Sequence, residues 1–219
     1  MTETPHDQDA GLLLDSVTLA LNGKSLLTID SLIKPGEILT IMGESGSGKS
    51  SLLDFVAGFL RPDFSASGRI ILHGRDLTRL PPQQRQIGLM FQSPLLFPHM
   101  SVLQNLLYAL PAEVKGGKHR QELAEAALRD VGLDGFGGRD PATLSGGQQT
   151  RVALMRTLLA DPKALLLDEP FSSLDKMRRS DIRQLVFKIA RQRELPVLLV
   201  THDMEDAAAA DGPVFTLDR

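Results

Sequence analysis

The residues Gly43-Glu44-Ser45-Gly46-Ser47-Gly48-Lys49-Ser50 have types and a spacing suited to holding a polyanion. They fit G-x-x-x-x-G-K-[ST], in which glycines let the backbone curl until successive N–H groups face phosphate oxygens. A helix that follows adds the positive end of its dipole. Lys49 can reach the β and γ phosphates of a nucleoside triphosphate and Ser50 can offer its hydroxyl to Mg²⁺, with Ser51 completing the set. In a chain of 219 residues, a chance match to this pattern has a probability on the order of 1%.

A second anion-suited segment lies about a hundred residues later. Ser145, Gly146, Gly147 and Gln148 precede a helix through Arg151, Val152, Leu154 and Leu158 to Pro162. Small residues at a helix start leave open N–H groups for an anion. The apolar strand Ala164 to Leu167 then delivers Asp168 to its C-terminal edge, with Glu169 next. That edge is where α/β proteins place ligands. A further apolar strand, Val197 to Thr201, ends at His202, and Gln92 follows Ile87-Gly88-Leu89-Met90-Phe91. Taken singly, Gln92, His202 and the Asp-Glu pair are ordinary loop residues. Their order along the chain is what carries information.

These groups need a scaffold, and the hydrophobic pattern supplies one. Leu12 to Ile33, broken at Asn22-Gly23 and closed by Lys34-Pro35-Gly36, predicts antiparallel strands. Ile38 to Met42 predicts a strand buried on both faces, and Lys49 to Ala57 a helix with Leu52, Leu53 and Val56 inward and Gly58 closing it. Strands are also expected at Gly68 to Leu72 and Gln86 to Phe91. Ser101-Val102-Leu103-Gln104 has capping-box spacing and opens a short helix. Leu123, Ala127, Leu128 and Val131 mark one face of another helix, ended by Gly132. Residues 93–160 therefore read as a mostly helical insertion. Lys176 to Glu194 forms a helix with Ile182, Leu185, Val186 and Ile189 inward and seven basic residues, Arg183 among them, mostly on a solvated face.

Composition bounds the function. Hydrophobic residues at 42% and charged residues at 23% are ordinary for a globular protein. The net charge of −3 gives no general attraction to nucleic acid or anionic lipid. With no cysteine, disulfides and thiolate chemistry are excluded. Residues 1–10 hold three acids and no Lys or Arg, so they form no signal-peptide n-region and are expected to be a flexible tail, with one domain over 11–219. No apolar stretch approaches the ~18 residues of a membrane span.

Together, from about Leu12 onward, these motifs resemble the ATP-binding subunit of an ABC transporter. The resemblance rests on the phosphate loop, Leu144-Ser145-Gly146-Gly147-Gln148, Leu165-Leu166-Leu167-Asp168-Glu169 and Pro170-Phe171-Ser172-Ser173-Leu174-Asp175. It implies an α/β fold: a P-loop NTPase (RecA-like) core, an antiparallel β subdomain and an inserted α-helical subdomain. It implies ATP and Mg²⁺, with Asp168, Ser50 and Gln92 around the metal and Glu169 orienting the attacking water. His202 then contacts the γ phosphate and Lys49 stabilises it. It further implies a homodimer, or a heterodimer with a similar ATPase, in which Ser145, Gly146, Gly147 and Gln148 cap the partner's nucleotide.

Ser93-Pro94-Leu95-Leu96-Phe97-Pro98-His99-Met100-Ser101-Val102 resembles the corresponding segment of bacterial importer ATPases. That implies a separate membrane permease, an extracytoplasmic solute-binding protein, no nucleic acid, and a place at the cytoplasmic face of the inner membrane. An exporter or lipoprotein-release ATPase is the alternative within the family, and a non-transport member acting on DNA or ribosomes a more distant one. Such importers often carry a C-terminal regulatory domain; the sequence ends at Arg219, so none is expected. The family's adenine-stacking aromatic is replaced by Leu21, which predicts weaker ATP affinity unless another side chain covers the base. Thr150 also departs from the usual Gln or Lys.

Overall fold

A computed structural model of the chain describes residues 11–44 and 46–217, without the side chains of residues 176–178. The expected N-terminal tail, Ser45 of the phosphate loop and Arg219 lie outside the described residues.

The chain divides into two compact units. The first holds the residues up to Leu89, Lys163–Glu169 and Phe187 onward. It opens with β1 (Leu12–Leu21) and β2 (Lys24–Ile33), the antiparallel hairpin read from the sequence. Asn22 and Gly23 at its tip have φ of 50° and 79°, as the tight primed turn between twisted strands requires. β3 (Ile38–Gly43) is the expected buried strand, and α1 (Lys49–Ala57) follows the phosphate loop. On α1, Leu52, Leu53 and Val56 are each at most 1% exposed, so each contributes roughly 1.5–3 kcal/mol through burial.

β4 (Phe64–Leu72) starts four residues before the strand expected at Gly68. Its first half, Phe64-Ser65-Ala66-Ser67, carries little apolar signal and is held by its ladder to β1, where Leu21 pairs with Phe64. That ladder is interrupted by a bulge at Asp15 and Ser16. Gly68 sits against it at φ 92°, where an added Cβ would lie 2.5 Å from the Ser16 carbonyl oxygen, so glycine is required there. With β5 (Arg75–Asp76) this sheet has the order β2-β1-β4-β5.

A four-residue helix, α2 (Pro82–Arg85), ends at Gln86 in the left-handed region, so the following strand β6 is confined to Ile87–Met90. Arg85 is buried and donates to four carbonyls: Phe55 and Val56 at 2.8 Å, Leu80 at 2.8 Å and Thr78 at 3.0 Å. Its rigid fork thereby caps the C-terminus of α1. Burial lowers its pKa from the usual guanidinium value.

The second unit comprises Met90–Pro162 and Pro170–Val186. It contains α3 (Val102–Ala109), α4 (Gly117–Asp130) and α5 (Gly146–Leu159). The capping box at Ser101 is present: its hydroxyl accepts from Gln104 N at 3.2 Å and Gln104 Oε1 accepts from Ser101 N at 2.8 Å. On α4, Ala124, Ala127 and Leu128 are buried with Val131 at the cap, while Leu123 is half-buried. Arg120 donates to the carbonyls of Leu107, Leu110, Pro111 and Val114 at 2.8–3.1 Å, closing the end of α3.

β7 (Ala164–Asp168) returns to the first unit, followed by α6 (Lys176–Gln192), β8 (Val197–Val200), α7 (Met204–Ala210) and β9 (Val214–Leu217). The second sheet has the order β6-β7-β8-β3-β9, with β7·β8, β3·β8 and β3·β9 parallel. One core joins both sheets of the first unit through α1, from Leu14 and Ile29 to Leu166 and Leu198. On α6, Ile182 and Val186 are buried while Leu185 and Ile189 are half-buried. Arg183, one of the seven basic residues of this helix, is only 8% exposed. It follows Ile182 directly and lies one turn before Phe187, on the inner side.

Candidate functional site

The first unit brings the phosphate loop, Asp168, Glu169 and His202 to one edge. β3 ends at Gly43 and α1 begins at Lys49, so strand, loop and helix follow in the order the motif needs. Gly48 precedes the helix at φ 93°, and a Cβ there would press on Leu26 and Leu27 of β2 at 3.3–3.4 Å. Lys49 is 7% exposed. Its three ammonium protons face the carbonyls of Gly43 and Glu44 at 2.7 and 2.6 Å and Ser47 Oγ at 3.4 Å. A phosphate oxygen is a stronger acceptor for those protons than a peptide carbonyl. The loop opens on a cleft of about 330 Å³, lined by Gly46, Gly48, Lys49, Ser50 and Ser51 and also by Leu21, Leu26, Arg61, Phe64 and Glu169.

Parallel pairing fixes the acidic and basic groups. Asp168 lies opposite Val200 at the ends of β7 and β8, and Glu169 N donates to Val200 O at 2.9 Å, extending the ladder by one residue. Glu169 has φ 45°. A left-handed glutamate is uncommon and costs roughly 1–3 kcal/mol, which a functional edge can retain. The twist turns its carboxylate toward His202, whose Nδ1 lies 3.1 Å from Glu169 Oε2. His202 sits on a turn held by Thr201: Thr201 Oγ1 donates to buried Asp206 at 3.0 Å and accepts from Asp203 N at 3.0 Å.

Ser50 and Asp168, two of the three residues expected around a metal, meet here: Ser50 Oγ donates to Asp168 Oδ1 at 3.1 Å. Burial, chiefly, pushes the Asp168 carboxyl above its usual range; the bond from Ser50 opposes this, and the charges of Glu169 and Asp54 add to it. A hydroxyl and a half-buried carboxylate are hard oxygen donors of the kind Mg²⁺ takes together with phosphate oxygens, so the residues fit that ion.

Gln92 belongs to the second unit and is exposed. So does the segment Ser145–Gln148, which opens α5. Ser145 Oγ accepts from Gln148 N at 3.4 Å and Gln148 Oε1 accepts from Ser145 N at 2.9 Å, a second capping box. The same Ser-x-x-Gln spacing read at Ser101 was present here to find it. Gly146 is exposed at the helix start. Thr150 is buried, and its hydroxyl donates back to Gly146 O at 3.0 Å. Sequence reasoning missed Phe64, Arg61 and the Thr201–Asp206 pair.

A family model described as "ABC transporter" matches residues 26–172. The uncharacterized ABC transporter ATP-binding protein YnjD of Escherichia coli is 49% identical over 90% of this chain and 91% of its own length. The Fe(3+) ions import ATP-binding protein FbpC of Rhizobium etli is 42% identical over 84% of this chain, which spans only 52% of that relative. Among solved structures, cbiO1 of Clostridium perfringens, part of the ABC transporter complex cbiONQ, aligns with a TM-score of 0.83 and 29% identity. That alignment covers 96% of this chain and 85% of the other. With the phosphate loop, the strand-end carboxylates and the family match in agreement, the chain belongs to the ATP-binding subunits of ABC transporters.

Proposed function

We propose that this chain hydrolyses ATP with Mg²⁺ and couples that reaction to import of a solute through a separate membrane permease. The observation that carries the reading is the pairing of Glu169 with His202 at 3.1 Å beside the Ser50–Asp168 contact and the phosphate loop. Mg²⁺, when bound, neutralises phosphate charge. Ser50 and Asp168 would hold it. Lys49 would balance the β and γ phosphates, Glu169 would align the attacking water, and His202 would meet the γ phosphate. In phosphoryl transfer the charge is spread over equatorial oxygens, so positioned groups of this kind supply most of the rate.

The Ser145–Gln148 helix start is a second anion cradle on the same chain, which supports a head-to-tail dimer of two such subunits with ATP between them. No helix among the described residues is long and apolar enough to cross a membrane. A permease partner at the inner membrane's cytoplasmic face therefore completes the reading, with an extracytoplasmic solute-binding protein. The importer assignment is supported by the iron importer relative and by the 93–102 segment. That segment ends beside a groove of about 580 Å³ lined by His99, Met100, Leu107 and Tyr108, with Tyr108 67% exposed. Phosphate release by the purified chain with MgATP tests the chemistry; retention of full activity by Glu169→Gln would overturn it. Co-purification with a permease and a solute-binding protein tests the direction of transport.

A further inference from the structure

The phosphate cleft has a wall that phosphate chemistry does not use. Beside Lys49 and Ser50 it is lined by Leu21, Leu26, Phe64 and Arg61. Leu21 and Phe64 are the terminal pair of the β1·β4 ladder, directly opposite each other. Side chains in such a pair lie on one face within contact distance. Leu26, from β2, sits where a Cβ on Gly48 would be 3.4 Å from it, so this apolar wall abuts the phosphate loop.

A nucleoside triphosphate needs both halves of such a cleft. Its tail is anionic, while its base is a flat ring whose faces are poorly served by water. Phe64 is the aromatic residue in the lining and is only half-buried. The Arg61 guanidinium carbon lies 5.1 Å from its ring centroid. Arg61 is 67% exposed and pairs with exposed Asp63 at 3.4 Å, an interaction too weak to resist displacement.

Resting on the ATP-binding reading, we propose that Phe64 is the base-stacking residue of this chain. The base takes the ring face that Arg61 covers, Leu21 packs beside it, and Arg61 moves outward to lie over the base. The stacking role thus sits across the ladder from Leu21, on β4. A stack reads the π face of a base and not its hydrogen-bonding edge, so purine identity is read weakly.

The chain contains no tryptophan, so Phe64→Trp places one reporter in the wall. Its fluorescence is expected to be quenched by MgATP and MgGTP and not by magnesium tripolyphosphate. In the full chain, Phe64→Ala is expected to weaken MgATP binding about 5- to 150-fold, the equivalent of one stacking contact, with tripolyphosphate affinity unchanged. Phe64→Leu, which keeps an apolar side chain at the strand end, should lose most of the same increment. Leu21→Tyr in the Phe64→Ala background should recover it. Undiminished MgATP affinity in both Phe64 variants overturns the proposal, and so does an equal loss for MgATP and tripolyphosphate. A wild-type chain that binds neither ligand, or a Lys49→Ala variant that binds both as well as wild type, overturns the underlying reading as well.

Discussion

His202 Nδ1 lies 3.1 Å from Glu169 Oε2, joining the residues that follow two neighbouring parallel strands. An Nδ1–H directed at the carboxylate settles the tautomer and leaves Nε2 for substrate. It also makes the two side chains one unit. We predict that Glu169→Gln and His202→Ala each lower kcat roughly 10²- to 10³-fold, and that the double variant falls well short of the product. ATP binding should survive in Glu169→Gln. Steady-state phosphate release with equilibrium nucleotide binding checks this; strict multiplicativity would mean that the two side chains act independently.

Ser145 has a task within its own chain, capping α5, and a proposed one at the partner's γ phosphate. The absence of cysteine makes the second testable. A chain carrying Ser145→Cys is mixed with one carrying Ser47→Cys, both in the Glu169→Gln background. Mild oxidation should give a disulfide-linked species of dimer mass that requires MgATP. Loss of the cap alone costs about 1 kcal/mol, so Tm separates the two roles. No ATP-dependent crosslink would remove the head-to-tail arrangement.

Much of this edge is legible in the sequence. The phosphate loop and α1 follow from glycine spacing and a helical apolar stripe, and the first hairpin from Asn22-Gly23. Buried strands such as Leu165–Leu167 and Val197–Val200 are short continuous apolar runs, so Asp168, Glu169 and His202 could be placed at strand ends. What was not legible depends on partners distant in sequence. Phe64 lies before the strand expected at Gly68 to Leu72 and joins it through its pairing with Leu21 of β1. Arg85 carries no local signal of its role, because its cap on α1 reaches across some 30 residues. The basic residues of α6 are expected mostly, not wholly, on its solvated side, and packing decides that buried Arg183 is an exception.

Burial of Asp168 makes the fold pH-dependent. Its carboxyl is held above the usual range, mainly by burial, so the folded chain keeps the proton longer than the unfolded one. Below the unfolded value both states carry a neutral group and no penalty exists. As pH rises through the unfolded and then the folded value, the unfolded state ionises first and stability falls. Asp168→Asn should therefore raise Tm at neutral pH in nucleotide-free protein, and the gain should vanish in acid. The same variant should lose the extra stabilisation by MgATP, which for a bound ligand at a hundred times Kd is about 2.7 kcal/mol. Thermal scans across pH, with and without MgATP, decide it; a Tm that falls at neutral pH would show that the Ser50 bond outweighs the burial.

The turn that carries His202 is held by a hydroxyl. Thr201 is 2% exposed and bridges buried Asp206 to Asp203 N, while Asp203 in turn caps α7 through Glu205 N at 2.8 Å. Thr201→Val keeps the shape and β-branching of the strand end but removes both hydrogen bonds, one from a buried carboxylate and one from a backbone N–H. The expected cost is about 1–3 kcal/mol of stability. Because His202 shares that turn, kcat should fall while KM for ATP stays near wild type. Thr201→Ser should restore kcat, since it returns the hydroxyl and loses only a methyl group. Recovery of stability without recovery of kcat in the serine variant would show that strand-end packing, not the hydroxyl bridge, holds the histidine in place.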